Sequence, residues 1–474
     1  MLRHGRRSAL RAFVLGLTTG VVYFSATLYW ITDVMVLYGR LPTSVGVLIN
    51  GLLVAYLALF PALFTLVMHR LVTTLGARAL MVAPFVWVST ELGRTYVPPG
   101  GFPWVLLGYS QVTTLPIAQL ASLFGVYGVS ALVASVSAVA AFCVATPSRR
   151  ERAVAVGCVA GTILLLTVWG SVRVARAEWT RTGEPLQVGV AQGNVDQGEK
   201  WSSDRAASIF RDYLNITRQA IGAGAGLVVW PESATPFMFE EDAAAAERVR
   251  MLARQARVPI LFGSDEIVWR VEDNKRFADR AYNSAFLVGA DGTTVGVYRK
   301  VHLVPFGEYV PLKQWLFFAA PLVEAIGTGF AAGEDATVLP LGDHRISVAI
   351  CYEIVYPALI RQFVRGGSEL LTTITNDAWF GRTSAPYQHF AQASMRAIEE
   401  GRYLVRSANT GISGIVDPYG RVLARTDIFR PSVIVGSVRL LDTETLYAWI
   451  GDLFAYGSTL VSLALLGMTF RRVQ

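Results

Sequence analysis

Charge is scarce in this chain. Asp, Glu, Lys and Arg make up 16% of its 474 residues, against about 25% in an average soluble domain. With 53% hydrophobic residues alongside, that scarcity excludes an ordinary soluble protein of this size and points to a membrane component. Cysteine is scarcer still. Three residues cannot all pair, and Cys143 and Cys158 lie in charge-poor apolar runs. A disulfide framework is therefore excluded, and both read as small packing residues. Only Cys351 is left as a chemical candidate. The five histidines show no zinc-type spacing with cysteine, so no metal site is expected, and no cofactor is implied.

The charge that is present sits where a membrane protein needs it. The net charge is +7, but the basic residues fall into short clusters: Arg3, Arg6, Arg7 and Arg11; Arg70 and Arg78; Arg149, Arg150 and Arg152; Arg471 and Arg472. No contiguous patch forms, which disfavours nucleic acid as a partner. A bilayer-crossing helix needs about 20 apolar residues, and candidate spans cover about 11–31, 45–68, 79–96, 118–145, 153–173 and 452–470. The third is the weakest, because Glu91 and Arg94 sit near its end. Counting crossings from a basic cytoplasmic N-terminus puts the arginine loops inside, in agreement with the positive-inside rule, and residues 174–451 outside. The first apolar run exceeds the ~7 to 15 residues of a signal-peptide core and lacks a cleavage site, which argues for an anchor. Residues 97–114 contain PPGGFPWVLLGYSQ, too rich in Pro and Gly for a helix. They read as an interfacial or re-entrant loop, or as the wall of a groove that admits lipid.

From Leu186 the pattern changes. Short apolar runs (LQVGVAQ, GLVVWPES, PILFGSDEIV, YNSAFLVGADGTTVGVYRK, RISVAICYE, LLTTITND) alternate with helical stretches at 203–221 and 243–257. That alternation predicts an α/β sandwich with layered sheets. Three runs end on a reactive side chain: Glu232, Lys300 and Cys351, and strand ends are where sites assemble. Singly, each has a plainer reading as a helix cap, a surface charge or a core residue. Together they suit thiol catalysis. Glu232 can take the proton of Cys351, while Lys300 favours the thiolate and shares the oxyanion with the backbone N–H of Tyr352. His302 and His389 read as structural, since this scheme needs no imidazole.

The segments GGFPWVLLGYSQ, QGNVDQGEKW, VVWPES, YRKVHLVPFGEYVP, ICYE, TNDAWFG and RSANTGISGIVDPYG together resemble, in order and over nearly the whole chain, the bacterial apolipoprotein N-acyltransferases, a membrane family of the nitrilase (carbon-nitrogen hydrolase) superfamily. The resemblance implies an αββα sandwich carrying a Glu-Lys-Cys triad at Glu232, Lys300 and Cys351. It also implies supporting carboxylates at Glu308 and Glu353, with Trp201, Asn283 and Tyr352 lining the substrate site. Such enzymes usually begin with two further spans, so this chain starts at what resembles their third; losing two crossings preserves orientation.

The organisation expected is a transmembrane domain over 1–175, a catalytic domain over 180–448 and a C-terminal span over 452–470. The activity expected is ping-pong transfer of an acyl chain, from sn-1 of phosphatidylethanolamine through a Cys351 thioester, to the α-amino group of a lipoprotein's diacylglyceryl cysteine. A monomer is expected, in the bacterial cytoplasmic (inner) membrane with its catalytic domain on the periplasmic side. Two alternatives are a membrane-tethered amidase or nitrilase using the same triad, and a lipid-binding scaffold with an inactive domain.

Overall fold

Backbone polar groups in a bilayer must be satisfied within the chain, so the apolar runs of this sequence have to become helices. The computed structural model describes residues 2–39, 41–97, 101–198, 200, 202–272, 275–305, 307–309 and 329–471. It divides into two units, one of Met1–Leu37, Leu41–Arg176 and Thr445–Gln474, the other of Tyr38–Arg40 and Ala177–Glu444.

In the first unit, five helices among the described residues are long and apolar enough to cross a membrane. They are Leu2–Thr27, Thr43–Leu75, Ala121–Ala145, Arg149–Arg176 and Leu453–Arg471. The first two pack closely because small residues meet. A Cβ added at Gly16 would lie 2.1 Å from Thr65 Oγ1, and one at Gly20 would lie 2.7 Å from the Ala58 Cα. Thr65 Oγ1 also donates to the Ala12 carbonyl at 2.8 Å. Such close approach is how helices gain packing contacts where lipid offers no hydrophobic drive.

The third expected span, 79–96, folds differently. It is a 3-10 segment, Ala77–Val82, running directly into a helix of 14 residues, Ala83–Tyr96; at about 2.0 and 1.5 Å per residue the two together reach about 33 Å, the depth of a ~30 Å hydrocarbon core. Glu91 and Arg94 are buried in it and hold the loop that follows. Arg94 Nη1 donates to the Trp104 carbonyl at 2.8 Å, and Glu91 Oε1 accepts from the Leu107 N–H at 2.7 Å and from Trp87 Nε1 at 3.0 Å. Irregular backbone thus finds the partners that a helix would have given it.

The second unit has two six-stranded sheets among the described residues. The strands of the first are β1 (Glu184–Gln192), β2 (Leu227–Val229), β3 (Ile260–Glu272), β4 (Lys275–Val288), β5 (Thr294–Arg299) and β12 (Ser432–Leu440), in the order β12-β1-β2-β3-β4-β5. The second holds β6 (Leu339–Leu341), β7 (His344–Ile350), β8 (Leu370–Thr375), β9 (Leu404–Ala408), β10 (Gly414–Val416) and β11 (Val422–Arg425), in the order β11-β10-β9-β8-β7-β6. Each sheet has a parallel centre, β1-β2-β3 and β7-β8-β9, with antiparallel strands outside it.

Strands covered on both faces are buried along their length, and all six residues of β8, LLTTIT, are buried, its three threonines included. Helices Ser203–Gly222 and Ala243–Ala256 cover the first sheet; Pro357–Arg365 and Ala385–Glu400 cover the second. The layers are α, β, β and α, as the motifs implied. Phe239, Phe262 and Phe286 fill the core under the first pair of helices, each worth roughly 2 to 3 kcal/mol in apolar burial. Trp230 stacks on Tyr213 there and donates through Nε1 to Thr217 Oγ1 at 2.8 Å.

Candidate active site

Two of the candidate side chains follow strands of one sheet, and the third follows a strand of the other. Glu232 comes three residues after β2, Lys300 directly after β5, and Cys351 directly after β7, where it opens the 3-10 turn Cys351–Val355. All three are buried, with exposures of 6%, 1% and 8%.

Lys300 Nζ lies 2.8 Å from Glu308 Oε1 and 3.6 Å from Glu232 Oε1. Burial alone would lower its pKa, but Glu308 and then Glu232 outweigh that and raise it, so the ammonium keeps its charge in a dry site. Asn283, expected to line the site, bridges the two carboxylates: its Nδ2 donates to Glu232 Oε1 at 2.7 Å and to Glu308 Oε1 at 3.3 Å. Glu232 Oε2 accepts from the Asn376 N–H at 2.8 Å, and Glu308 Oε2 from the Val304 N–H at 2.8 Å. These bonds fix both carboxylates without recourse to water.

The thiol of Cys351 lies within electrostatic reach of Glu232, Lys300 and Asp377 and within hydrogen-bond reach of the Thr375 side chain. Burial raises its pKa, Glu232 adds to the rise, and Lys300 opposes it. The resting sulfur is therefore protonated, and an adjacent base is required for attack. Its backbone has φ of +53°, in the left-handed region that a side chain enters only under constraint.

Glu353 supplies part of that constraint. Its Oε2 accepts from the Ile350 N–H at 2.7 Å, just before Cys351. Its Oε1 accepts from Tyr298 OH at 2.7 Å, Val301 N–H at 2.7 Å and His302 N–H at 3.0 Å, on both sides of Lys300. One carboxylate thus ties the Cys351 turn to the lysine's strand end. Burial pushes its pKa up to about 7, against the pull of the His302 and Ile350 amides, Lys300 and Tyr298.

Tyr352 is buried, with its ring edge-on to Tyr356 at 5.3 Å, and the His302 ring lies 3.7 Å from that of Tyr356. Trp201 lies outside the described residues. The two remaining histidine readings divide: His302 joins the aromatic group, whereas His389 reaches the backbone of Cys351 itself.

Several residues of the site were quoted within motifs but given no part. Asn409 Oδ1 accepts from the Val195 N–H at 2.8 Å, and its Nδ2 donates to Asn376 Oδ1 at 3.0 Å. RSANTG and TNDAWFG thereby close around QGNVDQ. Lys200 is buried near Asp265 and Glu232; burial lowers its pKa and those two carboxylates oppose the fall. Side chains of Lys200, Tyr213, Glu232 and Asn409 line one small crevice. The available signal was the recurrence of Asn, Asp and Lys in apolar motifs, where a buried polar group needs a partner. Among the described residues, no cluster of His, Cys, Asp and Glu is placed to hold a metal ion.

Comparison with known proteins agrees with the fold. The carbon-nitrogen hydrolase family model matches residues 187–448, and that of the apolipoprotein N-acyltransferase N-terminal domain matches residues 1–139. The chain is 40% identical to an apolipoprotein N-acyltransferase from Geobacter metallireducens, over 100% of this chain and 89% of the relative. It is 33% identical to one from Methylococcus capsulatus (98% and 88%) and 32% identical to one from Shewanella oneidensis (93% and 84%). On the identity and the extent of these matches, the chain belongs to the apolipoprotein N-acyltransferase family.

Proposed function

We propose that this chain moves an acyl chain from a membrane phospholipid to the α-amino group of the diacylglyceryl-modified N-terminal cysteine of a lipoprotein, with Cys351 as nucleophile, Glu232 as general base and acid, and Lys300 as the fixed cation. The observation that carries this reading is the Glu232–Lys300–Glu308 array at the ends of β2 and β5, within electrostatic reach of a thiol held on a left-handed turn. Five apolar helices suit substrates that are both anchored in lipid.

In the first half-reaction Glu232 takes the Cys351 proton as sulfur attacks the ester carbonyl. The oxyanion is stabilised by the Lys300 ammonium and the Tyr352 N–H, then collapses with cleavage of the ester C–O bond. Glu232 returns the proton to the departing lysophospholipid oxygen, leaving a thioester. In the second half-reaction the lipoprotein amine attacks the thioester carbonyl and gives up a proton to Glu232. The C–S bond breaks, and Glu232 reprotonates the sulfur. Overall one ester is exchanged for one amide, and no redox partner is needed.

The donor proposed is phosphatidylethanolamine, through its sn-1 chain, and the chain acts as a monomer. The site proposed is the bacterial cytoplasmic membrane with the catalytic domain on the periplasmic side, as the arginine-rich short loops favour. Trp201, Asn283 and Tyr352 are the proposed substrate-site residues.

Intact-protein mass spectrometry tests the reading. Wild type incubated with phosphatidylethanolamine should gain one acyl chain, which a diacylated lipopeptide then removes as N-acyl product, while Cys351→Ala gains nothing. An adduct lost to water but not to the amine would make the protein a hydrolase. An adduct on Cys351→Ala would remove Cys351 from the mechanism.

A further inference from the structure

A second set of charged side chains, not used in the mechanism above, ends on the backbone of the nucleophile. His389 Nε2 lies 3.1 Å from the carbonyl oxygen of Cys351. A carbonyl only accepts, so Nε2 carries the hydrogen in either charge state of the ring. The other nitrogen, Nδ1, is 3.0 Å from Arg406 Nη2 and 3.1 Å from Asp377 Oδ1. Arg406 Nη2 also donates to Asp377 Oδ2 at 2.9 Å, and Thr375 Oγ1 donates to Asp377 Oδ1 at 2.9 Å. His389, Asp377 and Arg406 are each fully buried, and they come from helix Ala385–Glu400, the turn after β8, and β9.

Burial and Arg406 lower the His389 pKa, while Arg406 and His389 outweigh burial and hold Asp377 at about 2. The group beside the ring is a carboxylate whose charge Arg406 answers. There is no slack at this point: a Cβ on Gly411 would fall 2.1 Å from Asp377 Oδ2. An apolar filling of similar volume often serves stability as well as a buried ion pair or better, so stability alone gives no reason for charge here.

The peptide plane supplies one. The carbonyl of Cys351 and the N–H of Tyr352 belong to the same planar unit and point in opposite directions. Whatever fixes the carbonyl fixes the N–H. We propose that His389, keyed by Asp377 and Arg406, is a positioning residue that orients the Cys351–Tyr352 peptide, and with it the Tyr352 N–H that faces the oxyanion. This rests on Cys351 being the nucleophile.

The test compares His389→Gln, whose amide nitrogen reaches the place of Nε2, with His389→Asn, which reaches only that of Nδ1, and with His389→Leu. Two rates are measured on each purified full-length protein: acylation by phosphatidylethanolamine, and alkylation of Cys351 by iodoacetamide, which forms no oxyanion. Acylation should fall roughly 10- to 100-fold in Asn and Leu, less than the full loss of an oxyanion donor, with the KM for phospholipid unchanged. Alkylation should stay within about 3-fold of wild type, and Gln should recover most of the acylation.

Acylation and alkylation falling together, in the Asn variant as well as the Leu, would overturn the proposal, because it would mean a disordered site. So would normal acylation of Leu, or a Gln variant as slow as Leu. Cys351→Ala is run in parallel, and an adduct on it would overturn the nucleophile assignment whatever the His389 variants do.

Discussion

The Lys300 ammonium sits closer to Glu308, at 2.8 Å, than to Glu232, at 3.6 Å. The nearer carboxylate therefore carries the ion pair and leaves Glu232 free for the proton transfers proposed for it.

Removing that division of labour should cost activity more than stability. In Glu308→Gln the ammonium is left with Glu232 alone, which makes Glu232 a weaker base. We expect kcat for thioester formation to drop about 100-fold, as for loss of roughly 3 kcal/mol of preorganised electrostatics. Glu308→Ala should do worse, since Val304 N–H and Asn283 also lose an acceptor. Acylation rates followed by mass spectrometry check the order.

Glu353 predicts opposite pH trends in activity and stability. All four of its partners are donors, so the ionised form is the one that holds the site together. Its pKa is about 7 in the fold against 4.5 in its absence. Thioester formation, in which no amine takes part, should therefore rise as pH climbs through about 7. The folded chain binds a proton over pH 4.5 to 7 that the unfolded chain has released, so this group lowers the unfolding free energy as pH rises across that window. Glu353→Gln should abolish the inflection. A rate profile flat between pH 6 and 8 in wild type would refute the assignment.

Asp377 has the reverse sign. Its folded pKa, about 2 against 3.8, means that it adds stability of ~2 kcal/mol above about pH 4, lost as pH falls through 2. Asp377→Asn leaves the Arg406 guanidinium buried without its charge partner, and should cost about 3 to 5 kcal/mol. Chemical denaturation in detergent at neutral pH measures this.

In the helical unit, Gly20→Leu should lower the melting temperature in detergent, because its side chain would meet the Ala58 backbone. Gly51→Ala is the control on the partner helix. A Cβ there meets nothing within 4 Å, and helix propensity favours the change by up to ~1 kcal/mol.

The placement of Glu232, Lys300 and Cys351 at strand ends could be read from sequence because each closes an apolar run, buried throughout in β2 and over the last five residues of β7, and only in part in β5. Glu308 was legible for a different reason: it lies eight residues from Lys300, within one motif. The bonds of Glu353 were not, since they run from 350 to 298, 301 and 302, and no periodicity links those positions. The partners of His389 were illegible for the same cause. A lone buried histidine on a helix looks like packing until β7, β8 and β9 bring Cys351, Asp377 and Arg406 around it. The short helix Ala83–Tyr96 differed from an ordinary span because Glu91 and Arg94 serve a loop whose path hydropathy does not encode.

The bridge from Glu353 to the segment around Lys300 carries an evolutionary consequence. Because one carboxylate ties the strand end of the lysine to the turn of the cysteine, the chain between residues 309 and 338 is not needed as a ruler. Changes of length there would leave the reacting groups in place so long as Glu308 and the Val304 N–H that holds it are kept.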